Sequence, residues 1–255
     1  MWDPARYSHF RDERKRPFFE LLARVDVDAP SHVADLGCGT GDLTRVLAER
    51  WKGARVYGVD SSAAMVEEAR RRPAPESLRF EVADLAGWEP PAPLDVLVSN
   101  AALHWVPDHG ALLLRLVAKL APGGVLAFQV PANFDAPSHR HIDEVRTLPR
   151  FAAKLAQVRR GHAESIAAYE ELLSGLGLVV DAWETAYLHV LPGEDAVLEW
   201  LLGTTLRPVL AALEPEEGRA FLDTLRPLLR QSYPAHARGT PFLFTRRFVV
   251  ARRGR

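Results

Sequence analysis

One cysteine, Cys38, stands in a chain of 255 residues, which excludes an internal disulfide and a cysteine-rich metal site and fits a reducing cytosol. Charge of one sign is equally scarce: 32 Lys and Arg face 33 Asp and Glu, a net charge of −1. Without a surplus of cations there is no long-range field to gather nucleic acid, so the expected partner is a small molecule. No apolar run approaches the ~20 residues that cross a bilayer, and the stretch from Met1 to Tyr7 lacks the apolar segment of a secretory leader, so a cytoplasmic protein without a membrane partner is expected. Internal repeats and Gly/Ser linkers are missing as well. What remains is ordinary globular composition, 47% hydrophobic and 25% charged, in a length that suits one large α/β domain or a smaller one with a substrate-side attachment.

Pro and Gly clusters divide the chain. From Ser31 to Val130, β-rich runs at 32–36, 54–60, 78–82, 94–98 and 124–130 alternate with helical stretches at 43–51, 63–72 and 111–120. Parallel strands need crossovers, usually helical, and this alternation supplies them. The prediction is a doubly wound, mostly parallel α/β sheet. Two further extended runs, 178–191 and 242–251, bring the strands to seven. Helical stretches are predicted at 139–154 and 164–175, and a helical insertion at about 192–235 carries amphipathic segments at 194–205 and 215–231. Residues 1–30 read as a helical entrance segment ahead of a domain spanning 31–255.

The chemistry concentrates after the first strand, in Asp35-Leu36-Gly37-Cys38-Gly39-Thr40-Gly41-Asp42. A sharp strand-to-helix turn needs residues without a Cβ, both for unusual φ/ψ and for close approach of the backbone to a ligand. The spacing is G-x-G-x-G, not the dinucleotide G-x-G-x-x-G, and the Lys and Ser/Thr of a P-loop are absent. Asp35 and Asp42 would repel a pyrophosphate and suit a cationic ligand. Asp60, at the end of the second strand, can accept from a ribose diol, and Asp84, after the third, from an exocyclic amine.

These motifs resemble the class I S-adenosylmethionine-dependent methyltransferases. Val33 to Gly41 looks like their first motif, Asp60 their ribose-binding acid, and Ala83-Asp84-Leu85 their adenine-side acid. Ser99 to Trp105 resembles the segment after the fourth strand, and Leu120 to Val125 the loop before the fifth. The resemblance implies a Rossmann-like fold and S-adenosyl-L-methionine as cofactor, held by Asp35, Gly37, Gly39, Gly41, Asp60, Ser61, Asp84, Leu85 and Asn100. Over nearly the whole chain the sequence resembles a bacterial branch, the trans-aconitate 2-methyltransferases, in Trp2-Asp3-Pro4, Tyr7 to Phe10, Leu103 to His109, Val130 to Asn133, Tyr187-Leu188-His189, Leu206-Arg207-Pro208 and Arg246 to Arg253. His104 departs from it, since the branch often carries an amide there.

The branch implies methyl transfer to a small polycarboxylate, forming a monomethyl ester. A carboxylic acid is already ionised at pH 7, so no general base is expected, and catalysis rests on placement and exclusion of water. A strong cation on the reacting carboxylate would quench it, while a multiply charged acid still needs partners to leave water. Candidates to hold the non-reacting carboxylates are Tyr7, His104, Trp105, Tyr187 and Arg207, with His9, Arg14, Arg16, Asn133 and Arg246 behind them. The basic run Arg246 to Arg255 otherwise reads as the solvated face of a strand, and Arg14-Lys15-Arg16 as a solvated helix. His139 and His141, two apart on a helix, do not share a face, so no metal is expected. Cys38 reads as an unreactive loop residue and Tyr169 as core. Another acid or a natural product as acceptor, and a non-catalytic cofactor-binding module, are the alternatives. A nicotinamide oxidoreductase is disfavoured by the loop spacing, and RNA methylation by the neutral charge.

Overall fold

The structure, a computed structural model, describes residues 11–254, with side chains from residue 15 onward. Seven strands form one sheet: β1 (His32–Leu36), β2 (Arg55–Asp60), β3 (Leu78–Val82), β4 (Leu94–Asn100), β5 (Leu120–Pro131), β6 (Leu178–Leu191) and β7 (Thr240–Arg253). Their order is β3-β2-β1-β4-β5-β7-β6. The pairs β3/β2, β2/β1, β1/β4 and β4/β5 are parallel, and β7 lies antiparallel to β5. The reversal of order between β1 and β4 is the topological switch that opens a crevice at the carboxyl ends of these strands.

The chain forms two compact units, one of residues 15–131, 163–185 and 246–255, the other containing 132–162 and 186–245. In the first, the inner parallel strands are buried on both faces, which is why β1 reads Val33-Ala34-Asp35-Leu36 and β5 runs apolar from Val125 to Phe128 rather than alternating, while the edge strand β3 alternates. The crossover helices α2 (Asp42–Arg50), α3 (Ala63–Arg71) and α4 (His109–Ala118) follow α1 (Arg11–Ala23) in the chain. Each crossover buries positions three and four apart, such as Thr44, Leu47 and Ala48 on α2 and Leu112, Leu113, Leu116 and Val117 on α4. Their starts are fixed locally: Ser62 accepts from the Met65 N–H, Asp108 accepts from the Ala111 N–H at 2.8 Å, and Gly41, with φ of 74°, turns the chain into α2. Residues 18–27 belong to the same core. Phe18 and Leu21 are fully buried, and the Arg50 guanidinium donates to the carbonyls of Leu22 and Val25.

The second unit is helical: α5 (Pro137–Arg146), α6 (Pro149–Leu155), α8 (Ala196–Leu202), α9 (Leu206–Ala211) and α10 (Pro215–Ser232), while α7 (Ile166–Gly175) belongs to the first. Phe221, Leu225 and Leu229 form the buried face of α10, whose start carries a capping box between Glu214 and Glu217. Its core centres on Trp200, with Phe242 at 5.8 Å between ring centroids, and on the Phe151–Phe221 pair at 5.2 Å.

Three expectations need correction. The stretch 139–154 is two helices, because Pro149 disfavours a helical Leu148, which is extended at φ −61°, ψ 139°. Helix α9 was not foreseen, being short and carrying Pro208. The arginines of the last strand do not share one solvated face. β7 is enclosed between β5 and β6, and Arg246 is 6% exposed. Among the described residues no helix is long and apolar enough to cross a membrane.

Candidate active site

The cofactor candidates converge in the first unit at the carboxyl ends of β1 to β4. Gly37, Gly39 and Gly41 all adopt positive φ, at 80°, 54° and 74°, a region costly for residues with a Cβ. The reasons differ. A Cβ on Gly37 would stand 2.1 Å from the Ala102 Cβ, so the loop after β1 touches the turn after β4. A Cβ on Gly39 would meet nothing within 4 Å; it would project into open space.

The backbone of this loop is tied down. The Gly37 and Cys38 N–H groups donate to the Val59 carbonyl at 2.8 and 3.0 Å, and the Gly41 N–H to the Cys38 carbonyl at 3.0 Å. Asp60 holds it from the next strand: one carboxylate oxygen accepts from the Gly39 N–H and the other from the Ser62 N–H, each at 2.9 Å. Each oxygen keeps a further lone pair, the capacity a ribose diol requires. Ser61, between them, is exposed. Asp84 follows β3 on an exposed turn, its Oδ1 accepting from the Ala86 N–H at 2.9 Å, with Leu85 partly buried beside it.

Asp35 acts from beneath the loop. It is 2% exposed and accepts from the Thr44 hydroxyl at 2.6 Å. Burial pushes its carboxyl from the ordinary 3.8 up to about 6, the Thr44 bond opposing and the nearby Asp60 charge adding to the rise. The same burial, with the Asp35 and Asp60 charges, drives the Cys38 thiol far above its usual range, so it stays protonated and is no nucleophile.

Asn100, the last of the cofactor candidates, ends β4 and is partly buried. Its Oδ1 accepts from Gln129 Nε2 at 2.7 Å, and Gln129 Oε1 accepts from Arg246 Nη1 at 3.0 Å. Ala101, next in the chain, is the one non-glycine with positive φ among the described residues, at 55°. A short 3₁₀ turn, Leu103–Trp105, carries a buried His104 whose ring lies 4.7 Å from that of the partly exposed Trp105. Tyr187 and Arg207 belong to the second unit: Tyr187 is buried on β6 with its ring stacked 6.3 Å from His189, and Arg207 is exposed on α9. Tyr7 and His9 lie outside the described residues, as does the Arg14 side chain; Arg16 is exposed on α1. The Asn133 carboxamide gives to and takes from the Thr245 backbone at 2.9 Å in both directions. Tyr169 is core, as expected, hydrogen-bonded to His109 Nδ1 at 2.6 Å. Sequence reasoning missed Thr44 and Gln129, neither of which stands in a recognisable motif.

An S-adenosylmethionine molecule suits this crevice: the open space over Gly39 leaves room for it, and Asp60 and Asp35 set carboxylates beside and beneath the loop. Asp42, expected to add to them, is instead paired with Arg72, which also donates to the Thr40 carbonyl. A profile of the methyltransferase domain family matches residues 33–124, the segment that carries the glycine loop, Asp60, Asp84 and Asn100. Among solved structures, the YcgJ protein of Bacillus subtilis aligns with a TM-score of 0.60 at 15% identity, covering 93% of this chain and 97% of that one. An S-adenosylmethionine-dependent methyltransferase of Mesorhizobium loti gives 0.54 at 20% identity, covering 96% and 100%. These share the fold. Much nearer in sequence are two proteins named trans-aconitate 2-methyltransferase. That of Streptomyces coelicolor is 50% identical over 99% of this chain and 86% of its own length, and that of Mycolicibacterium gilvum 48% identical over 99% of each. With such identity running through both units and both ends of the molecule, the chain belongs to the trans-aconitate 2-methyltransferase family and is an S-adenosylmethionine-dependent methyltransferase.

Proposed function

We propose that the protein transfers a methyl group to one carboxylate of trans-aconitate, releasing a monomethyl ester and S-adenosylhomocysteine. The observation that carries this reading is 48–50% identity over 98–99% of this chain with relatives of that name, joined to a glycine loop and acids that suit the cofactor. When bound, S-adenosylmethionine supplies an electrophilic methyl group on a sulfonium. An acceptor carboxylate would already be ionised near neutral pH, so no residue of this chain would have to take up a proton.

The residues then have placing roles. Asp60 accepts from the ribose hydroxyls while its two backbone bonds fix it in position. Asp84 accepts from the adenine amine. Asp35, held by Thr44, contributes negative charge below a cationic ligand. His104 and Trp105 are assigned to the acceptor side at the end of β4, and Tyr187 and Arg207 are the remaining acceptor candidates. This scheme uses no metal and no general base; the single cysteine supports a cytoplasmic setting, and the balanced charge supports a small-molecule acceptor rather than nucleic acid.

The test is transfer of labelled methyl to a panel of trans-aconitate, cis-aconitate, citrate, isocitrate and a long-chain fatty acid, with mass detection of the ester. Preference for trans-aconitate supports the proposal. Turnover of a different acid, or none, removes this substrate.

A further inference from the structure

Three side chains from adjacent strands form a hydrogen-bonded chain that the methyl-transfer scheme does not use. Gln129 of β5 is fully buried and stands in register with Asn100 of β4 on one side and Phe248 of β7 on the other. Its Oε1 accepts from Arg246, itself 6% exposed, and its Nε2 donates to Asn100 Oδ1. The polarity of this chain cannot be reversed. A guanidinium has five N–H donors and no acceptor, so the glutamine must turn its oxygen to Arg246 and its NH₂ to Asn100. Asn100 must then turn its own oxygen to Gln129. An isolated asparagine could present either end of its carboxamide; here the arginine, two bonds away, ties the oxygen to Gln129 and leaves both Nδ2 hydrogens for other partners, the oxygen keeping one lone pair.

That donor sits at the carboxyl end of β4, one residue before the strained Ala101 and two before Ala102, against which the glycine loop packs. The partner of a donor there is an acceptor, and the group that both reactants of the proposed reaction carry is a carboxylate. We propose that Arg246, acting through Gln129, is a positioning residue that fixes Asn100 as a hydrogen-bond donor to a ligand carboxylate, either the methionyl carboxylate of the cofactor or a carboxylate of the acceptor. This inference rests on the methyltransferase reading. Its chemical content is separate: the sense of one hydrogen bond.

Gln129→Glu tests it. The side chain keeps its size and accepts from Arg246, yet an ionised carboxylate cannot donate to Asn100. Asn100 has to swing its NH₂ toward position 129 and present oxygen to the ligand. Calorimetry with S-adenosylhomocysteine and with 5′-methylthioadenosine, which has no carboxylate, is combined with KM for whichever panel acid the native protein methylates. If the cofactor carboxylate is the ligand, Kd for S-adenosylhomocysteine rises about tenfold or more while 5′-methylthioadenosine is unaffected. If the acceptor carboxylate is the ligand, both Kd values hold and the acceptor KM rises about tenfold or more. Asn100→Asp, which still accepts from Gln129 but has no donor, is expected to show the same pattern and serves if Gln129→Glu does not fold. All constants within about twofold in a folded variant, or equal losses for both nucleosides, overturn the proposal. Failure of the native protein to bind S-adenosylhomocysteine would instead overturn the methyltransferase reading, and this inference with it.

Discussion

Replacing Asp35 by Asn removes a carboxyl that the fold holds at a loss. In the folded protein this group titrates near 6 rather than 3.8, so the folded state keeps its proton more tightly than the unfolded chain does. Between those values the folded state binds more protons, and stability must fall as pH rises through the window and level off above it. At about 1.4 kcal/mol per unit, a gap of roughly two units costs about 3 kcal/mol above pH 7 and about 1.5 kcal/mol near pH 5. The group is 2% exposed, so solvent screening gives no reason to discount it. Asparagine does not titrate. Its oxygen can still accept from Thr44, while its NH₂ carries a pH-independent penalty of ~1–3 kcal/mol if it finds no acceptor. The absolute difference between variant and native protein can therefore take either sign, but its pH dependence cannot. Urea unfolding near pH 5 and near pH 8 should show the Asp35→Asn protein gaining about 1.5 kcal/mol on the native one between the two. A difference constant to within ~0.5 kcal/mol would refute a raised Asp35 pKa and the electrostatic role built on it. In the same variant the loss of charge should weaken S-adenosylmethionine, a cation, more than neutral S-adenosylhomocysteine.

Two glycine variants separate packing from ligand space. Gly37→Ala forces a Cβ to 2.1 Å from Ala102 and should lower Tm and cofactor affinity together, whereas Gly39→Ala meets no protein atom and should lose S-adenosylhomocysteine binding with a melting change limited to strain of ~1–2 kcal/mol. Equal melting losses in the two would contradict the geometry. Asp60→Ala removes the anchor of the Gly39 and Ser62 amides as well as the ribose acceptor, and calorimetry should find cofactor affinity down by at least about tenfold. Arg207→Ala is expected to raise the acceptor KM about tenfold or more with cofactor Kd unchanged; an unmoved KM takes Arg207 out of acceptor binding. Thr44→Val, nearly isosteric, should raise the Asp35 pKa further, moving the stability change described above to higher pH.

The cofactor half of the site was legible because it is written locally. A glycine loop after a strand, an acid at the end of the next and another past the third occupy positions that alternating strands and helices place at one end of a parallel sheet. The surroundings of Asn100 were less legible because they are set by neighbours distant in sequence. Arg246 looks like one more arginine on an alternating strand until β7 is seen enclosed between β5 and β6. Gln129 sits within an apolar run and announces nothing, and the bonds of Asn133 to the Thr245 backbone could not be read from sequence. Thr44 became significant only when α2 brought its hydroxyl under Asp35. Pro149 could have divided the stretch 139–154 beforehand, since the residue before a proline avoids helix.

The place of β7 also governs how the chain is built. β5 and β6 are synthesised well before it, and residues 192–239 must emerge before β7 can enter between them. Until then both strands offer unpaired backbone edges, and β6 adds Val179, Leu188 and Val190, which remain exposed even in the finished fold. The nascent or partly unfolded chain thus passes through a sticky stage that ends only when β7 docks. Its yield on refolding should depend on protein concentration more steeply than its equilibrium stability would indicate.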